Sequence, residues 1–171
     1  MRGGTNDMQS KARFLGHPIH PMLVVIPLGL FIAAVVLDAL HYWRGTTLFA
    51  AISYYNIGGG IIGGLLAAVF GLRDWLAIPA GTRAKRIGLF HGASNVVVVL
   101  LFSAVWLART ALPDQAATPL LFAIEGLAIA LAMVAGWLGG ELVDRLGVGV
   151  DDGAHLNSPN SLSGRPASGR A

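Results

Sequence analysis

Four apolar stretches, each long enough to cross a lipid bilayer, set what this chain can fold into. They cover residues 22–43, 48–72, 87–107 and 119–142. A helix needs roughly 20 residues to span the hydrocarbon core. Helices are favoured because every backbone polar group in lipid must find its partner inside its own segment. The sequence therefore predicts an all-α, polytopic membrane protein whose four transmembrane helices form an up-down bundle.

Composition supports this fold class and removes several functions. Of the 171 residues, 54% are apolar and 12% are charged, whereas an average soluble domain is about 25% charged. The absence of cysteine excludes disulfides, iron–sulfur clusters and thiolate metal sites. We expect no nucleic-acid partner, since the net charge of +3 is small and the placement of basic residues matters more in a membrane protein. The chain has no nucleophile elbow, P-loop or zinc-protease helix, so we do not expect an enzyme by itself.

The distribution of basic residues predicts the orientation. Arg44 and Arg109 lie on one side of the four spans, and the other ten of the twelve lie on the opposite side. Basic segments tend to remain in the cytoplasm, which predicts a bacterial inner-membrane protein with both termini cytoplasmic. Span one is too long for a cleaved signal peptide and has no cleavage site after it, so we expect it to be retained. The ten residues are Arg2, Lys11, Arg13, Arg73, Arg83, Lys85, Arg86, Arg145, Arg165 and Arg170.

The chain divides into three parts. We expect a flexible segment over residues 1–13, the transmembrane domain over residues 14–150, and a disordered tail over residues 151–171. The tail is rich in Ser, Gly, Pro and Asn, and it has too few large apolar residues to form a core.

A first group of polar residues lies in the predicted inner leaflet. His17 and His20 open span one within a His-Pro-Ile-His-Pro sequence, and His91 lies about one turn into span three. Proline is tolerated in the first turn of a helix, so span one should begin near Pro18 or Pro21. Intramembrane ionisable groups are costly and are functional candidates by default. Asp74, Asn95, Glu141 and Asp144 complete this inner layer.

The chemistry of imidazole makes this layer a candidate cofactor site. Imidazole suits Fe, Zn and Cu, and haem iron accepts axial histidine. Spans one and three are diagonal neighbours in an up-down bundle, so His91 and either His17 or His20 could bracket haem b or a transition metal. Asp74 is a further candidate ligand, and Asp74, Asn95 and Arg73 are candidates to orient the imidazoles. In the alternative interpretation, the histidines are interfacial anchors and Asp74 pairs with Arg73 or Arg86.

A second polar layer in the outer leaflet consists of Asp38, Asn56 and Glu125. We expect Asp38 to form a local ion pair with His41 or Arg44. Glu125 has no basic residue nearby in sequence, so it should be protonated or hydrogen-bonded to Asn56. A small transporter or channel subunit that uses Glu125 and Asp38 is thus a further alternative, although the chain lacks the repeats of a complete transporter.

Small residues predict where the helices approach closely. Span two carries Gly59/Gly63 and Gly60/Gly64 pairs, and such four-residue spacing lets helix backbones touch in lipid. Span four carries a similar ridge of Ala128, Ala132, Gly136 and Gly140.

Four short motifs together resemble domain-of-unknown-function family 2231, a group of predicted four-helix bacterial membrane proteins. They are GHPIHP at 16–21, GLRDW at 71–75, HGASN at 91–95 and GWLGGEL at 136–142, and the resemblance covers about residues 14–150. It implies a fold and a compartment but no established activity. Some relatives join the domain to Rieske or cytochrome-like domains, which implies a redox role. The residues that match the family's polar signature are His17, His20, Asp74, His91 and Asn95.

Our leading hypothesis is a membrane subunit with a haem or metal site at its cytoplasmic end. Its expected partners are the lipid bilayer and either a redox partner protein or further copies of the chain. The alternative is a non-enzymatic structural or accessory subunit whose polar layer only holds helices together.

Overall fold

The computed structural model describes residues 9–169. The helices are α1 (Ile19–Leu23), α2 (Val25–Arg44), α3 (Thr47–Ala77), α4 (Arg83–Arg109) and α5 (Pro119–Gly140). With α1 and α2 taken as one segment, these residues contain four segments long and apolar enough to cross a membrane, which confirms the all-α fold. Residues 1–8 of the expected flexible segment, and the last two residues of the tail, lie outside the described residues.

Helices α3 and α4 extend beyond the apolar runs that predicted them. The connection between them covers only residues 78–82, so Arg73 and Asp74 lie on α3 and Lys85 lies on α4. Thr82 caps α4 by accepting a hydrogen bond from the Lys85 backbone N–H at 3.1 Å. Charged residues mark the edge of the hydrocarbon region, but a helix can continue past that edge into the polar interface. Helix α5 also continues, into a π-helical turn over Glu141–Arg145.

A small hairpin leads into the first span. Strands β1 (Arg13–Phe14) and β2 (His17–Pro18) pair antiparallel. The two turn residues have positive φ, 49° at Leu15 and 84° at Gly16, as a tight two-residue hairpin turn requires. Helix α1 then begins at Ile19, directly after Pro18, near the predicted start.

The first span is interrupted at Val24, between α1 and α2. Pro27 has no N–H to donate to the carbonyl of Leu23 four residues earlier, which accounts for the break at this point. The backbone of Val24 nevertheless stays in the right-handed helical region, and its N–H donates to the His20 carbonyl at 3.1 Å, so α1 and α2 form one span over Ile19–Arg44.

The four spans pack as an up-and-down bundle. Each packs on its neighbour in sequence, and α2 also contacts α5. At the centre, Phe31 of α2 stacks on Phe102 of α4 with ring centroids 4.0 Å apart and planes 1° from parallel. The buried residues around this stack are Ala34, Ile57, Val98, Val105 and Ala128.

The glycines of α3 provide the closest helix approach. A Cβ atom on Gly60 would lie 2.5 Å from the Phe31 ring, and one on Gly63 would lie 3.1 Å from Ile26. The ridge predicted on span two therefore packs against α2. The ridge predicted on span four does not continue as expected, because Gly136 is exposed and no described atom lies within 4 Å of its would-be Cβ.

The outer surface of the bundle is apolar. Large apolar side chains on α4 and α5 are mostly exposed: Leu100 to 61%, Leu120 to 70% and Met133 to 71%. Soluble monomers seldom show contiguous apolar surface of this kind, whereas lipid contact requires it. The bundle thus faces lipid on its outside and keeps its ionisable groups within.

Candidate functional site

Polar side chains gather at the two opposite ends of the bundle. We term the end that carries His20 and His91 the histidine end, and the end that carries Asp38 and Arg109 the arginine end. The hairpin and the tail both lie at the histidine end, where Arg13 pairs with Asp151.

At the histidine end, two imidazoles are held by backbone carbonyls of neighbouring helices. His20 Nδ1 lies 2.9 Å from the Ala67 carbonyl oxygen, and His91 Nδ1 lies 2.8 Å from that of Ala135. A carbonyl oxygen can only accept, so Nδ1 carries the proton in both contacts. In the neutral form of each ring, the lone pair is therefore on Nε2.

The two rings lie close to each other. Their centroids are 6.3 Å apart and their planes are nearly perpendicular, at 89°. Glycines provide the space, since a Cβ on Gly71 would lie 2.8 Å from His20 Cε1 and one on Gly139 would lie 3.1 Å from His91 Cε1. His20 and His91 are thus the histidine pair that the fold brings together.

His17 faces away from this pair. Its side chain is exposed, and its Nε2 lies 3.3 Å from Ser161 Oγ in the tail. Asn95 does join the pair, with Nδ2 3.2 Å from His91 Nε2 and a hydrogen bond donated to the His91 carbonyl at 2.9 Å. The sequence had left open which N-terminal histidine points into the bundle, and the structure places His20 there.

Asp74 holds the N-terminal segment. Its carboxylate accepts from Ser10 Oγ at 2.9 Å and from the Lys11 backbone N–H at 3.0 Å. Arg73 beside it is exposed. Within residues 9–169, no group of three or more His, Cys, Asp or Glu side chains is arranged to hold a metal ion. The histidine end thus brings together two imidazoles, and the contacts of Asp74 are with the N-terminal segment instead.

At the arginine end, four helices each contribute one fully buried polar side chain. We term these four residues, Asp38, Ser53, Arg109 and Glu125, the buried ionic network; each has no exposed surface. Arg109 Nη1 donates to Asp38 Oδ2 at 2.7 Å and to Glu125 Oε1 at 3.0 Å, and Nη2 donates to Asp38 Oδ1 at 3.0 Å. Ser53 Oγ donates to Asp38 Oδ2 at 2.5 Å.

Backbone carbonyls take the remaining donors of Arg109. Its Nε donates to the Gln115 carbonyl at 2.6 Å, and Nη2 also donates to the Ala50 carbonyl at 3.0 Å. The guanidinium therefore links α2, α3 and α5 to the loop after α4. Two buried side-chain atoms in the described part of the chain have no hydrogen-bond partner, Glu125 Oε2 and Trp106 Nε1.

This network corrects two expectations from the sequence. Asp38 does not form a local pair, since His41 Nδ1 is bonded to the Thr46 carbonyl and Arg44 stacks over the Trp43 ring. Glu125 contacts Arg109 rather than Asn56, so of its two expected states only the hydrogen bond to Asn56 is wrong. Arg109 is a functional candidate that sequence reasoning does not identify, because its position at the end of span three is that of an ordinary interfacial charge. An informative signal was present in the sequence, because Asp38 and Glu125 lie in one layer of the membrane and Glu125 has no basic residue nearby in sequence.

The lipid-facing bundle with ionisable side chains inside defines a multi-pass membrane protein. The chain belongs to the family described as predicted membrane protein (DUF2231), whose model matches residues 16–152. The match runs from the hairpin turn through all four spans, which confirms the resemblance seen in the sequence. Neither the curated proteins nor the solved structures contain a match to this chain.

Proposed function

We propose that the histidine end binds one redox-active metal centre between His20 and His91, either the iron of haem b or a single transition-metal ion. The observation that carries the proposal is the pair of Nδ1 contacts to the Ala67 and Ala135 carbonyls. Metal-binding histidines almost always donate their second ring N–H to a carbonyl, carboxylate or water, which fixes the ring and leaves the other nitrogen for the metal.

The separation of the rings supports this assignment. Metal–nitrogen bonds are about 2.0–2.1 Å long, so two imidazoles on opposite sides of one ion have ring centres about 6 Å apart. The observed centroid distance is 6.3 Å. Metal at His91 Nε2 would replace the contact from Asn95, which keeps its hydrogen bond to the His91 carbonyl.

Haem and a bare ion differ in the number of ligands that each requires from the protein. Structural ions such as zinc usually take four ligands from the protein, and the described residues provide no group of three. Haem needs only axial ligands from the protein, since its macrocycle supplies the others. A bare ion would have to complete its coordination with non-protein ligands.

We further propose that this end faces the bacterial cytoplasm. Arg73 near the end of α3 and Arg83, Lys85 and Arg86 in the first turn of α4 lie at the histidine end. The hairpin and the tail lie there too, and basic segments are retained in the cytoplasm. The metal centre would then lie in the cytoplasmic leaflet of the inner membrane.

A structural or accessory role is the second candidate, and a specific observation favours it. The His20 contact links α1 to α3, and the His91 contact links α4 to α5. Both histidines thus join helices whether or not a metal is present.

The two candidates are separated by an optical spectrum and metal analysis of the purified full chain, before and after addition of haemin or of Fe, Cu or Zn salts. We expect one bound centre per chain, lost in His20→Ala and in His91→Ala. His17→Ala is the matched control, because His17 belongs to the same motif but is exposed, and it should retain binding. If the unaltered chain binds neither haem nor metal, the metal proposal is wrong. The structural role then predicts that His20→Ala and His91→Ala only lower stability, by about 1–3 kcal/mol.

A further inference from the structure

The buried ionic network contains more negative groups than positive ones. Asp38 and Glu125 are two carboxyl groups, and Arg109 is the only cation that pairs with either of them within residues 9–169. All three side chains are fully buried in helices that span a membrane. An uncompensated carboxylate is expensive in such a place, so the network needs one more positive charge.

The hydrogen bonds distinguish the two carboxyl groups. Both oxygens of Asp38 are occupied, by two nitrogens of Arg109 and by the Ser53 hydroxyl. Glu125 receives one hydrogen bond, on Oε1, and its buried Oε2 has no partner. Bidentate pairing with arginine and an added hydroxyl donor stabilise a carboxylate. Asp38 therefore carries the negative charge that Arg109 balances, and Oε2 of Glu125 is the position left for the additional charge.

We propose that Glu125 is a proton-binding site inside the membrane, and that Asp38 and Glu125 are linked through the one guanidinium of Arg109. The proton binds to Oε2 and gives a neutral carboxyl group, which costs far less to bury than a carboxylate. No chemistry at the histidine end is involved, so this site is independent of the proposed metal centre.

Within residues 9–169, the structure shows no cation other than Arg109 paired with Asp38 or Glu125. From α2, the nearby titratable group is Tyr42, whose hydroxyl donates to the Ala117 carbonyl at 2.7 Å. From α3 and α4, Tyr54 and Trp106 stack on each other with centroids 5.3 Å apart. The charges that face Glu125 are thus those of Asp38 and Arg109.

The link between the two carboxyl groups follows from their shared donor. Arg109 Nη1 contacts both Asp38 Oδ2 and Glu125 Oε1. If Asp38 is made neutral, the guanidinium has only Glu125 to balance its charge, and Glu125 gives up its proton. The same guanidinium also donates to the Gln115 carbonyl in the loop between α4 and α5.

Infrared spectroscopy of the full chain in lipid nanodiscs tests the proposal. The chain has only two glutamates, Glu125 and Glu141, so Glu141→Gln protein grown with carboxyl-labelled glutamate reports Glu125 alone. At neutral pH we expect a protonated carboxyl band that shifts with the label, disappears reversibly at high pH, and moves in heavy water. Glu141 lies at the far end of the bundle, where it pairs with the half-exposed side chain of Arg83. Helical circular dichroism of the Glu141→Gln protein confirms that it is folded before the spectra are compared.

A second variant tests the linkage. In Asp38→Asn combined with Glu141→Gln, the labelled band should be absent at neutral pH although Glu125 is still present. Helical circular dichroism confirms that this variant is folded. A labelled band that is absent in the Glu141→Gln protein at neutral pH would overturn the proton site. A band that persists in folded Asp38→Asn protein would overturn the linkage to Asp38.

Discussion

Arg109 of α4 donates two parallel hydrogen bonds to Asp38 of α2, from Nη1 to Oδ2 at 2.7 Å and from Nη2 to Oδ1 at 3.0 Å. This bidentate geometry is the strongest that arginine and a carboxylate adopt. The two helices are diagonal partners, and the Phe31–Phe102 stack joins the same two helices at the centre of the bundle. Helices α2 and α4 are therefore held together by an ion pair at one end of the bundle and by an aromatic contact at its centre.

Removal of Arg109 should strongly destabilise the bundle. Arg109→Gln leaves Asp38 and Glu125 buried without a cation, and breaking a buried ion pair on one side typically costs about 3–5 kcal/mol. Thermal unfolding of the detergent-purified protein, followed by circular dichroism, measures the loss. Arg44→Gln is the matched control, since Arg44 lies on the same side but is exposed, and its melting temperature should change little. Equal melting temperatures for the two variants would show that the network does not stabilise the fold.

The sequence predicted the fold well, because apolar runs of membrane length permit few structures. Asp38 and Glu125 were also identified in advance, since an acid within such a run is conspicuous. Their partner was not, because Arg109 is the last residue of α4 and has the sequence appearance of an interfacial charge. Its long side chain reaches back into the bundle, and only the three-dimensional arrangement reveals that direction.

The histidine end shows a similar limit. The prolines predicted where span one begins, but they did not show that His17 would lie in a hairpin and contact Ser161. Nor did they show that His20, on α1, would contact the Ala67 carbonyl. The partner of Asp74 was equally hidden, because Ser10 lies in a segment without any periodic pattern. Contacts between a helix and an irregular segment leave no spacing in the sequence from which they could be read.

Substitutions of Gly60 and Gly136 should differ in their effect on stability, because Gly60 packs against another helix and Gly136 does not. Gly60→Ala places a Cβ atom 2.5 Å from Phe31 Cε1, and overpacking of this kind typically costs about 1–3 kcal/mol. Gly136→Ala is the control, since its Cβ meets no described atom within 4 Å, and alanine favours the helix. Unfolding midpoints measured side by side in the same detergent should fall for the first variant only. A loss of similar size in Gly136→Ala would reveal a packing partner on that face of α5.

Reporter fusions should place the two ends of the bundle on opposite sides of the membrane. A reporter that is active only in the cytoplasm, fused after Ala171, should be active, because ten of the twelve basic residues lie on that side. The same reporter inserted at Pro113, in the loop after α4, should be inactive, and a reporter that works only outside the cytoplasm should give the reverse pattern. Activity of one reporter at both positions would contradict the four-span topology.

The docking of the tail should depend on acidity through Asp151. Arg13 donates to both carboxylate oxygens of Asp151, with contacts of 2.5 Å and 2.9 Å, and these hydrogen bonds hold the pKa of Asp151 below its usual value. A carboxyl group with a lowered pKa favours the docked state while it is ionised. The ion pair therefore stabilises the docked tail fully above the ordinary aspartate pKa of about 3.9. This stabilisation is lost as the pH falls through the lowered pKa of Asp151.

A spin label reports this release directly. The chain has no cysteine, so Leu162→Cys, at an exposed position beside Ser161, gives a single labelling site in the tail. We expect restricted label motion at pH 7 and greater motion well below pH 4. Asp151→Asn should give greater motion at both pH values, because the amide cannot form the ion pair. Asp152→Asn is the control, since Asp152 is the next residue and its side chain is exposed. The label in this variant should show the same change in motion with pH as in the unaltered chain. If Asp151→Asn retains the transition of the unaltered chain, another group controls the tail.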